Sequence, residues 1–219
     1  MRTNFYAFYL LVITIFGWSC TSDKKIDGNA VQEEIKEREI KKISEAEIIS
    51  KVHEIGNSIA VAAKQTLGQN LQKAIQQDGL NNAIGFCNLN AMPLVDSLSK
   101  VYGADIKRVS LKARNPSDLP NEQEQMLLEA YAYQWKDSIP LQTNVQTLDD
   151  NTYLFTKPIM VDNALCLSCH GTVENGMLKE TDDFIKTKYP EDNATGYQIG
   201  DLRGMWSIIL KKKDVIQSM

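Results

Sequence analysis

Cys166-Leu167-Ser168-Cys169-His170 has the spacing C-x-x-C-H, which sets two thiols and an imidazole side by side. Thiols two residues apart can close a redox disulfide or join a zinc site. Followed directly by histidine, they form the attachment site of a c-type haem: the cysteines add across its two vinyl groups and the histidine ligates the iron. Structural zinc needs four ligands, usually from two such pairs, and only Cys87 and His53 remain as distant soft donors. A thioredoxin-type pair gives His170 no role, and its usual Trp-Cys-Gly-Pro-Cys setting is missing. The haem reading uses all three residues. With 4 Cys and 2 His in 219 residues, half of each is spent on this motif. It occurs once, so the expectation is a single covalent haem c and not a multihaem wire.

The chain start bears on the remaining cysteines. Arg2 supplies a positive charge, and Phe8 to Phe16 is apolar apart from Thr14, too short a core to span a bilayer. Gly17 and Ser19 are small and precede Cys20. This reads as a lipoprotein signal peptide over residues 1–20, with Cys20 as the lipidated residue and a membrane anchor. Gly17 stands where such signals usually carry leucine, and Trp18 is bulky; plain secretion or an uncleaved anchor is the alternative. Export places the protein on the periplasmic side or cell surface of a bacterial membrane, where c-type haem is attached. Lipidated Cys20 leaves Cys87, Cys166 and Cys169, an odd number for an oxidising compartment.

Cys87 therefore has two readings. It lies on an apolar helical stripe, where cysteine packs as a small hydrophobe. An unpaired thiol in an oxidising compartment is also protected by binding iron. His53 falls off the centre of its helical stripe and reads as a surface histidine. Arg108, Arg114 and Arg203 are surface charges or partners of nearby aspartates in one reading. In the other, their guanidinium forks pair with the haem carboxylates. Tyr197 and Trp206 read as core aromatics. The net charge of −4 comes with no basic stripe, which argues against a nucleic-acid partner.

These residues need a scaffold. Residues 21–45 mix charges of both signs without an aromatic and read as a tether, partly helical near Val31–Lys42. Residues 46–219 suit one domain. Ile48, Val52, Ile55, Ile59, Ala62 and Thr66 recur at helical spacing up to Gly68. A short helical piece follows to Asp78-Gly79. A third stripe, Leu80 to Leu98, contains Pro93 and predicts a kink or two abutting helices. Arg108 to Arg114 alternates and predicts a strand. Asn121 and Glu124 resemble a capping box opening a helix to about Asp137, with Leu127, Ala130, Tyr131 and Trp135 on its buried side. Val145–Leu148 and Thr152–Val161 read as strands, with the C-x-x-C-H motif in the loop after them. Asp182–Tyr189 reads as a short helix, and Met205–Lys211 as the last strand. The layout is α+β, with an antiparallel sheet of about five strands and N-terminal helices packed on it.

Four segments carry a family resemblance. They are Phe86-Cys87-Asn88, the run Arg108-Val-Ser-Leu-Lys-Ala-Arg-Asn-Pro116, Cys166 to Gly171, and Gly196-Tyr-Gln-Ile-Gly-Asp-Leu-Arg-Gly204. In this order they resemble the bacterial c-type haem family with a PAS-like fold, an exported haem domain found alone or as a sensor module. The resemblance implies a PAS-like antiparallel sheet, with His170 on one face of the iron and Cys87 on the other. It also sets Arg114 and Arg203 in family-like runs. Two filled axial positions argue against oxygenase or peroxidase chemistry, and no catalytic constellation accompanies the motif. The expectation is one-electron transfer or redox sensing with an unidentified redox partner protein. The alternative is a gas or redox sensor in which a diatomic ligand displaces Cys87. The sequence ends at Met219, soon after the last expected strand, so the signalling role of longer relatives is not expected to transfer directly.

Overall fold

The last strand shows how the molecule is layered. Along it, Trp206, Ile208 and Leu210 pack with Ile48, Val52 and Ile59. Met205 packs instead with Val109, Leu128 and Tyr131, and the Ser207 hydroxyl donates to the Glu124 carboxylate at 2.7 Å. A strand repeats every two residues, so these sets lie on opposite faces of one sheet. The computed structural model describes residues 28–29, 31–32, 43–89 and 91–219, and within these not the side chains of 86–92. The chain divides into units 1–42 and 43–219. In the first, residues 28, 29, 31 and 32 are helical; Cys20, the signal segment and most of the expected tether lie outside the described residues. Among those described, no helix is long and apolar enough to cross a membrane.

In the second unit the order is α1 (Glu45–Leu89), α2 (Ala91–Tyr102), β1 (Asp105–Val109), a 3-10 turn (Pro116–Asp118), α3 (Glu122–Lys136), β2 (Asn144–Asp149), β3 (Thr152–Met160), α4 (Ala164–His170), α5 (Lys179–Lys188), β4 (Leu202–Lys211) and α6 (Lys212–Gln217). The sheet runs β1-β4-β3-β2, every pair antiparallel. This is the expected α+β class, with four strands in place of about five. The expected strand over 108–114 is the one that moves. Pairing with β4 ends at Val109↔Met205. Ser110 then turns the chain: its amide donates to the Asp118 carbonyl, and its buried hydroxyl sits 2.8 Å from the Arg203 carbonyl. Val109 closes the strand, and the alternation beyond it, at 111 and 113, belongs to a folded loop.

α1 starts where Ser44 and Glu47 bond each other's amides, a capping box. Its buried stripe, Ile48, Val52, Ile59 and Ala63, closes on β3. Gly56 permits that approach, since a Cβ there would lie 2.3 Å from the Phe155 ring. Phe155 is fully buried, which is worth ~1.5–3 kcal/mol for a side chain of this kind. The helix passes through Gly68, where an end was expected: an interior glycine costs only about 1 kcal/mol, and the apolar stripe continues through Leu67, Leu71 and Ile75. It breaks at Gly79 (φ 79°, ψ 170°), the second expected stop. Pro93 falls in the first turn of α2, where proline is tolerated, so the third stripe is two abutting helices.

The other sheet face is covered by α3. Its capping box is present as expected: Asn121 and Glu124 each accept the other's amide. Glu124, Leu128 and Tyr131 are buried, and the Tyr131 hydroxyl meets Thr156 Oγ1 at 2.9 Å. Trp135 is 42% exposed and donates its indole N–H to the Gly200 carbonyl, so it sits at the end of the buried side and not within it.

Candidate functional site

The C-x-x-C-H motif forms α4, a seven-residue helix, and not the expected loop. Positions 166, 169 and 170 stand at i, i+3 and i+4, which share one helical face. All three line one cavity of about 320 Å³. Leu167 points into a separate cluster with Val161 and Tyr197, which seats the helix. The approach from β3 is pinned by two bonds, Val161 N–H to the Asp201 carbonyl and Gly200 N–H to the Val161 carbonyl. The exit is pinned by Tyr197 N–H to the His170 carbonyl and Gly196 N–H to the Gly171 carbonyl. The run Gly196–Gly204 therefore works as the bracket of the motif.

His170 is held by more than its backbone. Nδ1 donates to the Ala194 carbonyl at 2.7 Å, and the Tyr197 ring meets the imidazole edge-on at 6.2 Å. A carbonyl accepts only, so Nδ1 carries the proton and Nε2 keeps its lone pair. Burial, then the charges of Arg203 and Arg114, hold the imidazole pKa well below its ordinary value, against the opposing pull of the Ala194 carbonyl. The ring is neutral at pH 7, the form that binds a metal. Cys166 is half-buried, with Sγ 3.6 Å from Asn163 Oδ1. Cys169 is half-buried and packs beside the Ile84 cluster.

The cavity wall is apolar on one side. α1 contributes Leu67, Leu71, Ile75 and Ile84; the sheet contributes Ile159 and Trp206. Trp206 thus serves both the core and the cavity, whereas Tyr197 packs behind His170. The other side carries Arg108, Arg114 and Arg203. Arg114 is committed: Nε and Nη2 bond the two Asp192 oxygens at 3.1 Å, and Nη2 also donates to the Cys169 carbonyl at 2.7 Å. Arg203 gives Nη1 to the Ser110 hydroxyl at 2.6 Å and the Lys112 carbonyl at 3.1 Å. Its Nε is buried with no hydrogen-bond partner among the described residues. Burial lowers the Arg203 pKa; Tyr197 opposes and the neighbouring arginines reinforce this. Asp118 lines the same side, its carboxyl raised by burial against the pull of Arg108 and Arg203.

Two thiols and a neutral imidazole on one helical face, an apolar wall and an unpartnered buried N–H beside two further arginines fit a planar apolar group bearing carboxylates. Haem is a group of this kind. His53 does not belong to the site: it is half-buried against β3, edge-on to Phe155 at 6.0 Å, with Thr143 near its Nδ1, and is not the surface histidine expected. Position 87 lies in α1, one helical turn beyond Ile84; its side chain lies outside the described residues. Asp192 and Ala194 were not legible in the sequence. The one available signal was Arg114, because a buried guanidinium needs an anion.

The site and scaffold together define a class of α+β proteins that present C-x-x-C-H from a short helix into a sheet-backed cavity. The chain belongs to the Tll0287-like family, whose model matches residues 29–210. It resembles the solved structure described as the cyanobacterial heme-protein Tll0287, with 26% identity, a TM-score of 0.51, and coverage of 73% of this chain and 95% of that one. None of the curated proteins compared with the chain matches it.

Proposed function

We propose that the chain carries one haem c, bound covalently through Cys166 and Cys169, with His170 and Cys87 as axial ligands, and serves one-electron transfer or redox sensing. It does so as an exported protein anchored in a membrane by lipid on Cys20, and it hands electrons to or from an unidentified partner protein. The observation that carries this reading is the shared face of α4: both thiols and the imidazole line one cavity. The similar cyanobacterial structure is described as a heme protein, which supports it.

Bound haem would supply a single-electron couple. The residues of the chain supply the rest. His170 offers Nε2 because Ala194 takes its Nδ1 proton. Arg203 offers its Nε to a haem carboxylate, with Arg108 on the same wall. Arg114 spends Nε and Nη2 on Asp192 and the motif backbone, so Arg203 is the stronger carboxylate partner. For Cys87, the support is its position one turn beyond the cavity-lining Ile84. An anionic sulfur ligand stabilises ferric iron, so the potential is low compared with Met/His ligation.

Denaturing electrophoresis with haem staining tests the covalent claim. Wild type retains stain, and Cys166→Ala/Cys169→Ala loses it; acid–acetone extraction of the wild-type haem contradicts the claim. A second reading rests on Gly79. The break there sets Leu67, Leu71 and Ile75 on one side and Ile84 with Cys87 on the other, so the Cys87 segment is a separate helical piece, and in this reading it gives up its iron bond to a diatomic gas. Carbon monoxide added to reduced protein decides between the two: an unmoved Soret band supports electron transfer, and a shifted band supports gas sensing.

A further inference from the structure

The Arg114–Asp192 pair holds a place in the site that a carboxylate partner of a cofactor does not need. Its side chains are only 12% and 5% exposed, and the described side-chain bonds it makes beyond the pair itself lead back to the motif. Asp192 Oδ1 accepts the Ala194 N–H at 2.9 Å, and the Ala194 carbonyl accepts His170 Nδ1–H at 2.7 Å. Arg114 Nη2 reaches the Cys169 carbonyl. The neighbouring Asn193 N–H is tied to the Ala113 carbonyl at 3.2 Å. One ion pair thus clamps the motif backbone and sets the acceptor that orients the imidazole.

We propose that Asp192 is a positioning residue for His170, acting through the Ala194 peptide, and that Arg114 holds Asp192 in place. This rests on the reading of His170 as an iron ligand. Partners of a ligating histidine fix its ring orientation and basicity, and their loss typically costs 10–100-fold in affinity or activity. The pair is nearly dry, so each charge acts on the site with little screening and the two nearly cancel. Removing one leaves the other uncompensated, and the two deletions must act in opposite directions. Asp192→Asn leaves the Arg114 cation, disfavours ferric iron and raises the reduction potential. Arg114→Gln leaves the Asp192 anion and lowers it.

The test is redox titration of haem-loaded wild type, Asp192→Asn and Arg114→Gln, each first checked for covalent haem on a denaturing gel. At the wild-type midpoint, the reduced-to-oxidised ratio should rise about tenfold in Asp192→Asn and fall in Arg114→Gln; tenfold is 59 mV for a one-electron couple. Haem-loaded variants with unmoved potentials, or potentials that move in the same direction, overturn the proposal. A pair acting by its charge alone would give the same split, so the ferric electron paramagnetic resonance signal of haem-loaded Asp192→Ala, which keeps no acceptor for the Ala194 N–H, must also move; an unmoved signal overturns the positioning role. If neither variant loads haem, amide exchange of the wild type decides: a protected Ala194 N–H supports the clamp, and fast exchange overturns it. Wild type without covalent haem instead overturns the functional reading, before any variant is compared.

Discussion

Gly171, directly after His170, has no room for a side chain. A Cβ there would lie 2.1 Å from the Asn175 carbonyl oxygen and 2.8 Å from the Leu167 carbonyl oxygen. Both are backbone atoms, so no rotamer change relieves Gly171→Ala. Its φ of −77° is ordinary, and the effect is one of space alone. Either the turn around Thr172, Asn175 and Met177 opens, or the last turn of α4 unwinds and loses the Gly171 N–H bond to Leu167. Overpacking of this kind costs ~1–3 kcal/mol. With a urea slope of ~1–3 kcal/mol per molar, a loss of about 2 kcal/mol lowers the midpoint by about 1 M. The same displacement moves the His170 end of α4, so haem attachment falls as well. Urea unfolding followed by circular dichroism, with haem staining of equal protein loads, measures both. Gly85→Ala is the control, since nothing lies within 4 Å of its Cβ and alanine in a helix is worth about 0.5–1 kcal/mol over glycine. If Gly171→Ala unfolds at the wild-type midpoint with full haem, the tight packing behind the motif does not govern the site.

Two further outcomes are expected. Glu124→Ala removes the acceptor of the Asn121 amide at 3.0 Å and of the buried Ser207 hydroxyl at 2.7 Å, a loss of about 2 kcal/mol. Calorimetry should show a melting temperature lower by about 4–8 °C for a domain of this size, and an unchanged value contradicts the role given to the cap. Mass spectrometry of the membrane-extracted protein should find a mature N-terminus at lipid-modified Cys20; an unmodified terminus or cleavage elsewhere rules out the anchor.

The parts of this molecule that could be read from sequence are those whose physics is local. C-x-x-C-H sets three donors within five positions, and all three reach one cavity. The Asn121–Glu124 capping box starts α3 where the pattern placed it, and the φ of Gly79 ends the helical ladder at Asp78. What was misread depends on distant partners. Ser110 bends the chain out of the sheet because its hydroxyl meets Arg203, 93 positions away. α4 has no side-chain N-cap bond and is seated instead by Leu167 and the 196–197 turn. Asp192 reaches Arg114 across 78 positions, without periodicity or motif to announce it.

The axial pair is the central claim, and the electron paramagnetic resonance spectrum of the ferric protein tests it most directly, alongside Cys87→Ala and Cys87→Ser. Ligation by His170 and Cys87 predicts a low-spin wild-type signal with thiolate character that both variants lose while keeping their covalent haem. A variant that retains the wild-type signal removes Cys87 from the iron and gives the sixth position to methionine or to an open site.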